Sequence, residues 1–430
     1  MQQQAGALFQ SGRQADALTV CRQILALQPA RADVHAFAGM IALRMGDAET
    51  AVEHYRAAVT NEPQFFEAHY NLGRALQQHG DTKAAIEAYR AAIAIKPDLA
   101  PAYHNLGNAL MALGQHAEAA EAYARTLDLA PDAVDSQRNL GLALQKLERF
   151  DEAEHAFRAA LAARPDWNEA HNNLTDTLLA EGDAAGAADA AADWLAALPG
   201  SVAAMSYHCI ALNELGDKTR LHYWLDFDGL VRTRRYEEIP GYESLDAFNA
   251  ALVSHVRNHP TLKVPPESDP TYHHPSLWIT EEMLDGDKGP METLERMMYE
   301  AVEEYRASVS VPPDHPFLAQ WPERWRITAW GVVLEGEGNL APHLHLEGYM
   351  GGCYYPQVPD VVADETAKGG WFQLGRPPAE LPLKAEHETI EIQPHEGLMV
   401  LFPGYYYHAT VPFKSPQRRV SIAFDVVAVD

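Results

Sequence analysis

The chain has 430 residues, of which 47% are hydrophobic and 22% charged, the balance of an ordinary globular protein. Aspartate and glutamate outnumber lysine and arginine by 60 to 33, which leaves a net charge of −27 at pH 7. Nucleic acids and anionic membranes are bound by basic surfaces, so this charge excludes both as expected partners.

Three cysteines, Cys21, Cys209 and Cys353, lie far apart and form no CxxC pair, which argues against disulfides and thiolate zinc sites. The first residues lack the basic flank and apolar core of a signal peptide, and no apolar run approaches the length of a membrane span. We therefore expect a cytoplasmic protein that is not bound to a membrane.

The first half of the sequence repeats with a period of 34 residues. Each period holds two stretches with helical spacing, in which glycine ends the first helix and proline follows the second. The pattern closely resembles the tetratricopeptide repeat and predicts six helix pairs over residues 1–217, with a further first helix at roughly 202–214. The positions in register are Pro29, Pro63, Pro97, Pro131, Pro165 and Pro199; Gly39, Gly73, Gly107 and Gly141; Gly12, Gly46, Gly80, Gly114, Gly182 and Gly216; and Tyr55, Tyr89, Tyr123 and Phe157.

Asparagine recurs with the same period in the first helix of four units. Such repeats stack into a solenoid whose inner helices line a groove, so these side chains have two interpretations. They satisfy hydrogen bonds between helices, or they form a ladder that grips a peptide backbone, as in the repeat superhelix of protein O-linked N-acetylglucosamine transferases, which the pattern resembles. The four residues are Asn71, Asn105, Asn139 and Asn173.

The repeat stops after Gly216, and we expect a second domain over residues 218–430. Helices are predicted at about 244–257 and 290–308, with a loop over 267–275. From about residue 324, short β-rich runs bounded by glycine and proline predict a sandwich or barrel. The predicted strands are Trp325–Leu334, Gly351–Gln357, Trp371–Leu374, Thr389–Gln393, Leu398–Phe402 and Arg419–Val429.

Three segments of the second domain carry candidate site residues. Side chains two apart on an extended strand point the same way, so His343 and His345, or His345 and Glu347, are able to converge on one ion. In the second segment, an apolar strand and a turn are followed by His408, a further candidate metal ligand. Farther on, Arg419 and Ser421 share one strand face, and a buried arginine is costly unless it meets a carboxylate, which a bound acid would supply.

Together these segments resemble the double-stranded β-helix oxygenases that depend on Fe(II) and 2-oxoglutarate, above all those fused to tetratricopeptide repeats and more distantly the prolyl hydroxylases. The resemblance implies an α solenoid followed by an α+β domain with a jelly-roll core over about 324–430. It also implies that His343 and His408 are iron ligands, that Arg419 and Ser421 bind the far carboxylate of 2-oxoglutarate, and that Tyr355 is the cosubstrate tyrosine.

The sequence departs from this family at one ligand, because His345 stands where an HxD pair has aspartate. Three arrangements remain open: the three histidines His343, His345 and His408; the set His345, Glu347 and His408, which restores a carboxylate; or two histidines with water. We favour the three histidines, since His343 lies in the better-matching frame.

The resemblance implies a dioxygenase that hydroxylates a peptide or protein recruited by the solenoid while 2-oxoglutarate is converted to succinate and CO₂. One alternative is a non-catalytic scaffold or binding protein in which a degenerate cupin-like β-domain is attached to the repeats. Another is a cupin-type enzyme that keeps the metal but uses no 2-oxoglutarate.

Overall fold

The computed structural model describes residues 1–266, 276–312 and 315–429, so the loop predicted at 267–275 lies outside the described residues. Packing divides the chain into two compact units, Met1–Thr177 and Leu178–Asp430. The last helices of the repeat region therefore pack as part of the second unit. The predicted boundary between residues 217 and 218, which marks the end of the repeat pattern, stays a prediction.

The repeat region consists of helices, and the first ten of them pack in five consecutive pairs, as the 34-residue period predicts. Next in the chain come α11 and α12, which occupy the positions of the sixth pair, then α13, the expected further first helix, and the short α14. The helices are α1 (Gln2–Gln10), α2 (Gln14–Leu27), α3 (Ala32–Arg44), α4 (Ala48–Asn61), α5 (Phe66–His79), α6 (Thr82–Ile95), α7 (Ala100–Ala112), α8 (His116–Leu129), α9 (Val134–Lys146), α10 (Phe150–Ala163), α11 (Asn168–Glu181), α12 (Ala184–Ala197), α13 (Val202–Leu215) and α14 (Lys218–Trp224).

A glycine in the first helix of a repeat makes room for an aromatic ring of the second helix. A Cβ atom added to Gly73 would lie 2.5 Å from the ring of Tyr89, and the ring itself is fully buried. Because any larger residue would push the two helices apart, this contact fixes how closely they approach. The same pairing recurs at Gly39 and Tyr55, Gly107 and Tyr123, and Gly141 and Phe157.

The turn between the two helices of each repeat requires a residue with positive φ, and glycine supplies it at positions 12, 46, 80, 114, 182 and 216. In the fifth repeat the equivalent residue is Glu148, which adopts φ 58°. A side chain in this left-handed region is strained by contact between its Cβ atom and the backbone. The fifth repeat therefore contains a strained turn that the other repeats avoid.

Four further helices and eleven strands belong to the described part of the second unit. The helices are α15 (Phe227–Leu230), α16 (Leu245–Arg257), α17 (Met291–Ser308) and α18 (Pro316–Ala319), together with a 3-10 turn at Asp360–Ala363. The strands are β1 (Arg232–Arg235), β2 (Leu277–Ile279), β3 (Trp325–Leu334), β4 (Glu337–Gly338), β5 (Gly348–Gln357), β6 (Phe372–Leu374), β7 (Ile390–Ile392), β8 (Leu398–Pro403), β9 (His408–Thr410), β10 (Phe413–Lys414) and β11 (Arg419–Ala428).

These strands form a jelly roll of antiparallel sheets, which confirms the predicted fold class. The larger sheet has the order β1-β8-β5-β11-β3-β2, and the smaller sheet has the order β7-β6-β9. A bridge between His343 and His408 extends the smaller sheet beyond β9, while β4 and β10 pair separately. Helices α16 and α17 pack on the larger sheet, at β5 and β3.

Six of the eleven described strands were predictable because each is a β-rich run bounded by glycine and proline. Strand β3 occupies the predicted residues, and β11 extends from the predicted first residue to one residue before the predicted last one. The prediction missed the short strands β1, β2, β4, β9 and β10, which have two to four residues each. Among the described residues, no helix is both long and apolar enough to cross a membrane.

We predict that Glu148→Gly raises the midpoint of thermal unfolding, because glycine removes backbone strain of about 1–2 kcal/mol. The greater freedom of glycine in the unfolded chain offsets part of that gain, which leaves a net stabilisation of up to about 1 kcal/mol. Lys146→Gly is the matched control, because Lys146 ends α9 without positive φ, and this change should lower the midpoint. A Glu148→Gly protein that melts below the wild type would contradict the account.

Candidate metal centre

A cavity lies between the two sheets of the jelly roll, and most of the residues predicted to form the site line it. One wall of the cavity belongs to β3, β5, β8 and β11, and the opposite wall belongs to β6, β9 and the segment that carries His343 and His345. The lining residues are Trp330, Val332, Leu340, His343, His345, Gly352, Cys353, Phe372, Phe402, His408, Ala409, Thr410, Arg419, Ser421 and Ala423.

His343, His345 and His408 converge in this cavity. One ring nitrogen from each histidine lies within 4.8 Å of the others. The ring centroids of His343 and His408 are 4.2 Å apart, and that of His345 is 5.1 Å and 4.8 Å from them. Three imidazoles at this spacing form a ligand set for a transition metal ion.

Backbone pairing holds two of the three histidines. His343 and His408 exchange both backbone hydrogen bonds, each 3.1 Å long, so the two side chains are delivered from neighbouring strands. His345 lies two residues after His343, in the connection that leads to β5, outside the described strands. Trp330 packs edge-on against its ring, with centroids 5.0 Å apart.

The Nδ1 atom of each histidine faces an acceptor outside the cluster. The acceptors are the Ala341 carbonyl for His343, the Tyr406 carbonyl for His408 and the Asp425 carboxylate for His345, at 2.7, 3.4 and 2.9 Å. These acceptors assign the proton to Nδ1, which makes Nε2 the atom that would bind a metal.

Burial keeps two of these imidazoles neutral at physiological pH. It lowers the pKa of His343 to about 3, with a smaller contribution from His345. It also holds the pKa of His408 well below the usual range, assisted by His343 and His345. A neutral imidazole has the lone pair that a metal requires, so the site is prepared to bind a cation without first losing protons.

Arg419 is a buried cation without an acidic partner among the described residues. It is 1% exposed, and among the described residues its guanidinium forms hydrogen bonds with Ser421 Oγ at 3.3 Å and Tyr355 Oη at 3.5 Å. Its Nε atom has no hydrogen-bond partner in the part of the chain that the structure describes. A guanidinium is costly to bury unless its donors are satisfied, so this group is placed to receive an anion.

Asp425 belongs to the site, although the sequence analysis did not select it. It is 5% exposed, and burial raises the pKa of its carboxyl group while the bond to His345 opposes that effect. The sequence signal that could have identified Asp425 is its spacing from Arg419. Residues 419, 421, 423 and 425 alternate along β11 and therefore share one face of the strand. Trp330, Cys353 and Phe402 also line the cavity, and the sequence did not single them out.

Two of the predicted site residues, Glu347 and Tyr355, lie outside the cluster of three histidines. Glu347, the carboxylate in the alternative ligand set, is exposed and is not one of the three grouped ligands. Tyr355 is fully buried behind Arg419, and burial raises the pKa of its hydroxyl group well above the usual value. The structure thus assembles the three-histidine arrangement that the sequence analysis favoured.

The four periodic asparagines lie in the first unit. Asn105 Nδ2 donates to Tyr70 Oη at 3.1 Å, and Asn139 Nδ2 donates to Asn108 Oδ1 at 3.1 Å, each on the preceding first helix. Asn71 Oδ1 accepts from Arg74 at 3.4 Å, while Asn173 Nδ2 has no hydrogen-bond partner among the described residues. All four residues are half-buried. Asn105 and Asn139 contact the preceding repeat, whereas Asn71 bonds within its own helix and the Nδ2 atom of Asn173 is buried.

Comparison with protein families identifies both parts of the chain. Residues 328–425 match the family described as "Putative 2OG-Fe(II) oxygenase". Two tetratricopeptide-repeat families match residues 38–100 and 138–202, and residues 98–166. No curated protein sequence matches the chain significantly.

Three solved structures that resemble the chain cover between 37% and 52% of it. MamA is 27% identical over 37% of this chain and 94% of its own, with a TM-score of 0.37. A fragment of MamA from Desulfovibrio magneticus is 22% identical over 39% and 94%, with a TM-score of 0.37. The C-terminal part of a repeat protein from Cytophaga hutchinsonii is 15% identical over 52% and 92%, with a TM-score of 0.46.

The family matches coincide with the helical pairs and with the jelly roll that holds the three histidines and Arg419. The chain is therefore a fusion of tetratricopeptide repeats with a domain that matches the 2OG-Fe(II) oxygenase family.

Proposed function

We propose that the protein is an Fe(II)- and 2-oxoglutarate-dependent dioxygenase that hydroxylates a peptide or protein bound by its repeats. The observation that carries this proposal is Arg419, a buried cation that lines the same cavity as three converging histidines. A ligand that satisfies both must carry a carboxylate for the arginine and atoms that bind a metal. 2-Oxoglutarate has both, at its opposite ends.

The chemistry of the donor set supports iron. Neutral imidazoles suit Fe(II), and three ligands on one side of an ion leave further positions for other molecules. His343, His345 and His408 would hold the metal through Nε2. When bound, the metal activates O₂ and couples the oxidation of a substrate C–H bond to the decarboxylation of 2-oxoglutarate.

The remaining residues bind and orient the cosubstrate. Arg419 would pair with its far carboxylate through two donors, with the Ser421 and Tyr355 hydroxyls beside it. Phe372 and Phe402 pack against His408, with ring centroids 5.9 and 4.9 Å away, and exclude water from that side. In a dry cavity, the attraction between a guanidinium and a carboxylate is much stronger than in water.

The repeats support a peptide or protein as the substrate, because stacked helix pairs expose extended binding surfaces. The half-buried amides of Asn71, Asn105 and Asn139 would donate to and accept from a peptide backbone. Asn173, the fourth residue in register, has a buried Nδ2 atom that a peptide would not reach. The net charge of −27 favours a basic or neutral segment over an acidic one.

We predict that Arg419→Met weakens 2-oxoglutarate binding by about 30-fold or more, because it removes one partner of a buried ion pair. Methionine fills most of the space, so Fe(II) binding should persist. The measurement is succinate release by the purified full chain over a range of 2-oxoglutarate concentrations, with Fe(II) content determined in parallel.

Arg418→Met is the matched control for this experiment. Arg418 is the preceding residue, its side chain is 41% exposed, and it pairs with Glu335 at the surface. We expect this variant to retain the wild-type KM for 2-oxoglutarate. Equal effects of the two variants would argue against the assigned role of Arg419, and a wild-type protein that releases no Fe(II)-dependent succinate would refute the proposed function.

We predict that the double variant Asn105→Ala/Asn139→Ala binds fewer peptides on an immobilised array of basic and neutral sequences but keeps 2-oxoglutarate turnover in the absence of peptide. The reason is that these amides lie in the repeats and line no part of the metal cavity. Asn61→Ala is the control, because Asn61 lies in a second helix and donates to its own backbone at Ala57. Unchanged peptide binding by the double variant would assign both asparagines to packing alone.

A further inference from the structure

We propose that Asp425 is a positioning residue that acts through His345 and gives the metal centre the carboxylate that its ligand set lacks. This inference rests on the proposed metal site. The oxygenases that the sequence resembles have aspartate where this chain has His345. Here the acidic group is Asp425, which accepts a hydrogen bond from the Nδ1 atom of that histidine.

The position of His345 in the chain makes it the ligand that most needs such support. Backbone pairing holds His343 and His408, whereas His345 lies in a connection outside the described strands. Its Nδ1 atom donates to Asp425 Oδ1 at 2.9 Å. A hydrogen bond at Nδ1 fixes both the tautomer and the orientation of the ring, so that Nε2 points towards the other two imidazoles.

The strands around Asp425 fix its backbone and leave space for its carboxyl group. Strand β11 pairs with β3 at Asp425 and Thr328 and with β5 at Asp425 and Gly351, which fixes the backbone at this position. The side chain lies over Gly348, where an added Cβ atom would come within 2.6 Å of the Asp425 carboxyl carbon. A larger residue at position 348 would therefore displace the group that orients His345.

The acceptors of the three histidines differ in kind. His343 and His408 donate to backbone carbonyls, which are neutral dipoles, whereas His345 donates to a carboxyl group. A carboxylate behind a metal-binding imidazole makes the ring a stronger ligand than a carbonyl does. The site thus combines two ligands held by the backbone with one held by an acidic side chain.

The test uses Co(II) as the metal probe and the visible absorption of bound Co(II) as the readout, with no need for turnover. We expect Asp425→Leu to weaken Co(II) binding by about 10- to 100-fold, the usual effect of losing the partner of a metal ligand. Asp425→Asn should recover most of the affinity, because its Oδ1 atom also accepts from Nδ1. Glu391→Leu, a matched change in the smaller sheet away from the ligands, should bind Co(II) like the wild type.

A cycle with His345→Ala separates positioning from a general loss of structure. If Asp425 acts through His345, Asp425→Leu has no further effect on Co(II) affinity once His345 is alanine. An equal further loss in that background would overturn the inference. If Asp425→Leu does not fold, Gly348→Ala takes its place in the same cycle, and unchanged Co(II) affinity in that variant would overturn the inference as well.

The outcomes distinguish the two proposals. A wild-type chain that binds no Co(II) would contradict the metal site and with it the proposed function. A wild-type chain that binds Co(II) while Asp425→Leu retains full affinity would contradict only the role of Asp425.

Discussion

A β-strand turns successive side chains to opposite faces, and the site depends on this constraint in strand β11. Arg419, Ser421 and Asp425 share the face that borders the cavity and its ligands. The alternate residues Val420, Ile422, Phe424 and Val426 are fully buried in the domain core. A shift by one residue would exchange the two sets, so the pairing of all ten residues of β11 with β3 protects the chemistry of the site as well as the core.

The repeats follow a similar logic with a different period. Four of the 34-residue units place a glycine against an aromatic ring, and a left-handed residue recurs at the turn of each unit. The same period places Asn71, Asn105, Asn139 and Asn173 in register on four first helices. The proposed binding of an extended peptide depends on this repetition.

Much of this architecture could be predicted from the sequence, because periodic patterns are local. The helix pairs, strand β3 and the candidate residues His343, His408 and Arg419 each depend on spacing or on a recognisable motif. The sequence could not decide whether His343 or Glu347 is the third candidate ligand, because that choice depends on the tertiary structure, in which Glu347 is exposed. Asp425 was missed because its partner His345 is 80 residues away, and β4 and β10 were missed because two residues show no period.

The central claim is that one cavity binds Fe(II) through three histidines and 2-oxoglutarate through Arg419. The most direct test is an anaerobic titration of the full chain with Fe(II) and then with 2-oxoglutarate, followed by visible absorption. The account predicts one iron per chain and a new absorption band that appears only when both are present. Iron binding without any response to 2-oxoglutarate, or no iron binding by the folded protein, would contradict it.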